Sequence, residues 1–169
     1  MEEFLKIDRT KQEVELMSPL TWAYIGDAVF ELYVRNKLIN ETNLKPHKLH
    51  IEAIKYVKAK NQAEKLNEIY ETLTDEEKDI VRRGRNTQNH HLPKNSNVQE
   101  YMYATAFEAL IGYLYLTKQN TRLKEILKKV WLVQLWRFLF EPSLKSVPNR
   151  NLHNWIKNDE MLKIRRFLN

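Results

Sequence analysis

TWAYIGDAVFE, residues Thr21 to Glu31, sets a glycine and an aspartate side by side in an apolar run that otherwise reads as helix. Glycine costs about 1 kcal/mol against alanine in a helix interior. A buried carboxylate costs more still unless its charge is compensated. Just upstream, Ser18-Pro19 supplies an N-cap and a proline at the first helical position, so a helix is expected from there to about Ile39. Gly26 and Asp27 therefore need a reason to be where they are.

Outward from this segment the chain reads as all-α. It has 169 residues and only three glycines, and no stretch shows the strict alternation of a strand. Pro46 opens a long helix in which Tyr56, Ala59, Ala63, Leu66, Tyr70 and Leu73 share one side, while Lys58, Gln62 and Lys65 take the other. Thr74 to Glu77 is a capping box, and Gly84 stands where a C-terminal cap belongs. A polar loop, RNTQNHHLPKNSN, leads to a helix from Asn97 to about Thr117. Further helices are expected from Thr121 to about Glu141 and from Leu152 to Leu168. Two prolines in EPSLKSVPNRN mark a boundary near residues 141–151.

Composition narrows the function. The absence of cysteine excludes disulfides and thiolate metal sites. The N-terminus has no apolar signal region, and no charge-free run approaches a bilayer span, so a cytoplasmic protein is expected. Residues 1–117 carry 16 Lys and Arg against 18 Asp and Glu, whereas residues 118–169 carry 12 against 4. The formal charge of +6 thus belongs to the C-terminal part.

Two helices carry the chemistry. From Leu16 to Val34 the only charged residues are Asp27 and Glu31, and from Tyr101 to Thr117 the only one is Glu108. Both helices are therefore expected at the centre of the core, each with a glycine near its acid: Gly26 beside Asp27, and Gly112 one turn after Glu108. Glycines allow a close crossing at which Asp27 and Glu108 converge, with Glu31 on the Asp27 stripe. Converging carboxylates repel unless protonated, paired or bridged by metal. Oxygen-only ligation suits Mg²⁺ or Mn²⁺, and such a site performs phosphodiester hydrolysis. An ion pair of each acid with a nearby Arg or Lys is the plainer alternative.

The basic stretch VRRGRNTQNHHLPKN carries Arg82, Arg83, Arg85 and Lys94 without an acid, which suits a phosphate backbone as well as it suits a solvated loop. His90 and His91 are adjacent and diverge; with no E-x-x-H in the chain, they and the His47, His50 pair read as surface residues.

YIGDAVFELYVR, RRGRN, PKN and TAFEALIGYLYL, in this order, closely resemble the Mini-ribonuclease III family, the short bacterial branch of the ribonuclease III superfamily. The resemblance runs from about Leu16 to about Leu127. It implies a ribonuclease III-type helical fold over residues 1–128, with 129–169 as an extra C-terminal helical extension. It also implies a homodimeric endoribonuclease that cuts double-stranded RNA with Mg²⁺, Mn²⁺ being a substitute, and that matures precursor 23S ribosomal RNA, possible presentation by a ribosomal protein included. By the same resemblance Asp27 and Glu108 are the catalytic metal ligands; Glu31 is a further candidate only through its place on the Asp27 stripe. Arg83, Arg85, Asn86, Lys94 and Asn95 are the expected RNA contacts.

Two departures matter. Full-length ribonuclease III has further acids where this chain has Ala23 and Thr105, and it appends a double-stranded-RNA-binding domain of which no trace follows Leu127. A non-catalytic RNA or ribosome-assembly binder on the same fold is the alternative these departures leave. A nucleotide pyrophosphohydrolase using Glu68 and Glu71 is a weaker one. The extension, with Trp131, Leu132, Leu135, Trp136 and Leu139 at helical spacing, reads as a docked amphipathic helix, an RNA-binding arm or a segment without a role.

Overall fold

The computed structural model describes residues 7–87 and 97–140, with side chains through Leu132. Every helix and 3-10 turn in this range follows in chain order: α1 (Lys11–Glu15), α2 (Pro19–Glu41), α3 (Pro46–Val57), α4 (Ala59–Ile69), a 3-10 turn (Tyr70–Thr72), α5 (Asp75–Asn86), α6 (Val98–Leu116) and α7 (Asn120–Phe140). No strand occurs among the described residues, so the all-α expectation holds. The chain divides between Lys129 and Val130 into two units. The first carries the site. The expected helix from Leu152 and the side chains of Leu135, Trp136 and Leu139 lie outside the described residues.

Local chemistry sets the helix starts. The Ser18 side chain accepts from the Leu20 amide above Pro19, Asn97 does the same for Gln99, and Thr74 with Glu77 completes a reciprocal box. α6 ends on Lys118 in the left-handed region (φ 59°), with Gln119 N–H donating to Leu114 O and Lys118 N–H to Tyr115 O.

α6 is the axis of the fold. Ten of its side chains and backbone positions between Ala104 and Leu114 are buried, and α2, α4 and α5 pack around it. Trp22 and Tyr113 meet edge to face at 5.3 Å between centroids, and Phe30 and Phe107 at 5.0 Å. Trp22 also donates to Val14 O at 2.8 Å, which ties α1 to the core. Arg122 at the start of α7 grips the buried Glu77 at 2.7 and 2.9 Å, so a charged pair closes this end of the bundle.

Four expectations need correction. α2 is not buried on every side: Trp22, Ala23, Phe30, Val34 and Leu38 face the core, whereas Tyr24, Leu32 and Ile39 are exposed. The long helix from Pro46 breaks at Lys58, which is extended (φ −60°, ψ 142°) and serves as last cap of α3 and first of α4. An Asn61 side chain bonded to Lys55 O spans the break. Ala63, Leu66 and Leu73 are buried as expected, but the restart also buries Gln62 and Lys65 from the expected opposite side and leaves Ala59 and Tyr70 exposed. Gly84 is not a cap, since α5 runs on to Asn86. A Cβ there would lie 2.8 Å from Ala109 Cβ and 3.0 Å from Ala106 Cα, so its role is close packing on α6. Finally, α1 was not expected from the charged N-terminal lead.

Candidate active site

The site begins with the helix crossing. A Cβ on Gly26 would lie 1.8 Å from the Glu108 carbonyl oxygen, and one on Gly112 would lie 1.9 Å from the Trp22 carbonyl oxygen. No side chain fits at either position. Backbone touches backbone, and the residues beside this contact, Asp27 on α2 and Glu108 on α6, are brought to one place.

Their environments differ. Glu108 is largely buried, and its pKa is pushed up to about 7, first by burial and then by the Asp27 carboxylate. Asp27 is exposed, on the border between the buried and exposed faces of α2, rather than sunk in the core as expected. Its pKa is also raised, by partial burial and by Glu31. Neither acid is among the described salt bridges, so the plainer alternative of an Arg or Lys partner finds no support here. Glu31 does have a partner: Arg35 donates to it at 2.6 Å, one turn along α2.

Gln62, which sequence reasoning placed on a solvent face, joins the pair from α4. It is 1% exposed and favours the charged forms of both acids. Ala23 on α2 and Thr105 on α6, one turn before the two acids, are both buried. Two carboxylates and an amide therefore meet at a water-accessible edge. This oxygen-rich set fits a hard divalent cation, whose charge would relieve the repulsion that raises both acids.

The expected RNA contacts divide. Arg83 stacks over Trp22 at 4.4 Å and donates to Glu15 O at 3.1 Å, so its guanidinium clamps α5 to α1 and α2. Arg85 lies against Tyr103 and bonds Asn86 at 3.2 Å, at the exposed end of α5. Arg82 pairs with Asp79. Lys94 and Asn95, with His90 and His91, lie outside the described residues.

A Ribonuclease III domain model matches residues 20–119, which contain the crossing and both acids. A Mini-ribonuclease 3 from Thermoanaerobacter sp. (strain X514) is 55% identical over 119 residues, 70% of this chain and 84% of the relative. The chain belongs to the Mini-ribonuclease 3 family. A second Mini-ribonuclease 3, from Staphylococcus aureus, is 47% identical over 69% of this chain and 89% of its own. A crystal structure of a protein from Fusobacterium nucleatum, 31% identical, superposes with a TM-score of 0.64 over 72% of this chain and 98% of that one. As a Mini-ribonuclease 3 the protein is an endoribonuclease for double-stranded RNA. Its wider family uses divalent metal and typically forms homodimers. Among the described residues no helix is long and apolar enough to cross a membrane.

Proposed function

We propose that the protein cleaves double-stranded RNA with Mg²⁺ held by Asp27 and Glu108, Mn²⁺ serving as substitute. The supporting observation is the pair itself: two acids with no cationic partner among the described residues, set by a glycine-on-glycine crossing, each with its pKa raised. A divalent cation, when bound, supplies Lewis acidity and an activated water for phosphodiester hydrolysis. The chain's own residues do the rest. Glu108, on the rigid central helix, fixes one ligand position; Asp27, at the open edge, faces the side from which RNA arrives. Glu31, already bonded to Arg35, is a secondary acid that adds a ligand when that bond opens. Arg85 and Asn86, with Lys94 and Asn95, contact the phosphate backbone, whereas Arg83 contributes through the position it gives α5.

The substrate in the cell is precursor 23S ribosomal RNA, with a ribosomal protein as presenting partner, and the setting is the cytoplasm. The exposed stripe of α2, Tyr24, Leu32 and Ile39, supports a homodimer through that face.

The deciding experiment is cleavage of a long RNA duplex, and of a 23S precursor stem, by wild type and by Asp27→Asn in Mg²⁺ and in chelator. Wild type should cut only with metal, and the variant should bind without cutting. Cutting by Asp27→Asn at the wild-type rate would remove Asp27 from the mechanism.

A further inference from the structure

Gln62 is the polar group at the crossing that the fold does not require. It comes from α4, a different element from either acid, and is 1% exposed. Its amide lies beside both the Asp27 and Glu108 carboxylates. Yet among the described residues neither Nε2 nor Oε1 completes a hydrogen bond of full geometry, although the amide is near enough to both carboxylates to favour their charged forms. Polar atoms taken from water are normally paired, and leaving both ends of a buried amide open is costly. Its neighbours on α4, Ala63, Leu66 and Ile69, fill the same interface with apolar side chains. A leucine or methionine at 62 would pack there without an open dipole.

The amide has the chemistry this site is short of. Among the described residues no group of three or more His, Cys, Asp and Glu is arranged to hold a metal ion. One turn from each acid the chain has Ala23 and Thr105 instead of further carboxylates. A neutral amide oxygen is an accepted partner for a hard cation or for its waters, and outer groups that orient ligating carboxylates set metal affinity.

We propose that Gln62 is a positioning residue of the cation site, its Nε2–H turned to the carboxylates and its Oε1 to the hydrated cation. The inference rests on the reading of Asp27 and Glu108 as the cation's ligands. It assigns the open valences of Gln62 to the loaded state: the amide is held ready for a partner that arrives with the metal. A neutral third arm adds no further negative charge beside the two carboxylates, so it does not increase their repulsion.

The test is Mn²⁺ titration of the RNA-free protein by calorimetry, with thermal unfolding in chelator alongside. Wild type should bind Mn²⁺ and Asp27→Asn should not. Gln62→Met should bind about 10- to 100-fold more weakly, while its melting temperature in chelator stays at or above that of wild type. In turnover it should need more Mg²⁺ for half-maximal cleavage, with KM for duplex RNA unchanged. Gln62→Glu, which adds a charged ligand at the same place, should bind Mn²⁺ more tightly than wild type. Wild-type affinity in both Gln62 variants, or a lower melting temperature of Gln62→Met in chelator with affinity intact, would reduce Gln62 to packing and leave the two-acid site standing. Absence of Mn²⁺ binding by wild type, or full binding by Asp27→Asn, would overturn the ligand reading and this inference with it.

Discussion

Glu108 ties stability to pH through one carboxyl group. Its ordinary pKa of 4.5 is pushed up to about 7 in the fold, by burial in α6 and by Asp27 on α2, while the Gln62 amide on α4 pulls the other way. A group raised in this sense favours the folded state fully below pH 4.5, and that contribution is lost as pH rises through about 7. The span is worth about 3 kcal/mol at most. In chelator, wild type should therefore lose stability between pH 4.5 and 8, and Glu108→Gln should flatten that slope; equal slopes in denaturant titrations would disprove the coupling. Cleavage should gain over the same interval, because a cation and a proton compete for the same oxygens. The two acids were legible in the sequence because an acid in an apolar helix breaks the local pattern. Gln62 was not, because a glutamine on an amphipathic helix breaks nothing until the phase of that helix is known.

At the scale of elements, the two-glycine crossing of α2 and α6 can be tested against helix propensity. Alanine is better than glycine in a helix interior by about 1 kcal/mol. Gly112→Ala should nonetheless destabilise, by about 3 kcal/mol or more, since its Cβ would meet the Trp22 carbonyl oxygen at 1.9 Å and the helices would have to part. A rise in the urea midpoint would refute the contact. This crossing was readable from glycine spacing alone. The break at Lys58 was not, because neither glycine nor proline marks it and the apolar residues continue on both sides. The α1 helix did announce itself: Thr10 and Glu13 form a capping box, but five residues of helix are easily overlooked in a charged lead. Gly84 shows the opposite error, a glycine near a helix end taken for a cap when its neighbour across the bundle needed the space.

For the whole molecule, the exposed side of α2 is the feature that a single copy leaves unexplained. Tyr24 is 83% exposed, Ile39 63% and Leu32 55%, all along one stripe, and Asp27 lies between that stripe and the core. With a homodimer through this face, Tyr24→Arg should weaken self-association more than about tenfold while the helical circular dichroism stays intact. Sedimentation equilibrium measures it, and an unchanged dimer would move the interface elsewhere. The sequence could not separate this face from the core, since apolar residues on both sides of α2 look alike until α6 is seen to cover only one of them.

Lys65 has a consequence for chemical probing. It is 4% exposed, with Nζ 3.2 Å from the Tyr56 carbonyl oxygen and near the rings of Phe30 and Tyr56. Amine-reactive reagents reach lysines through solvent, so in the native protein this one should stay unlabelled while exposed lysines such as Lys48 and Lys60 react. Labelling of Lys65, read by peptide mass spectrometry, then becomes a clock for the loosening of α4 from α3 and α6. It would time an opening at the wall of the catalytic site without a mutation or a dye.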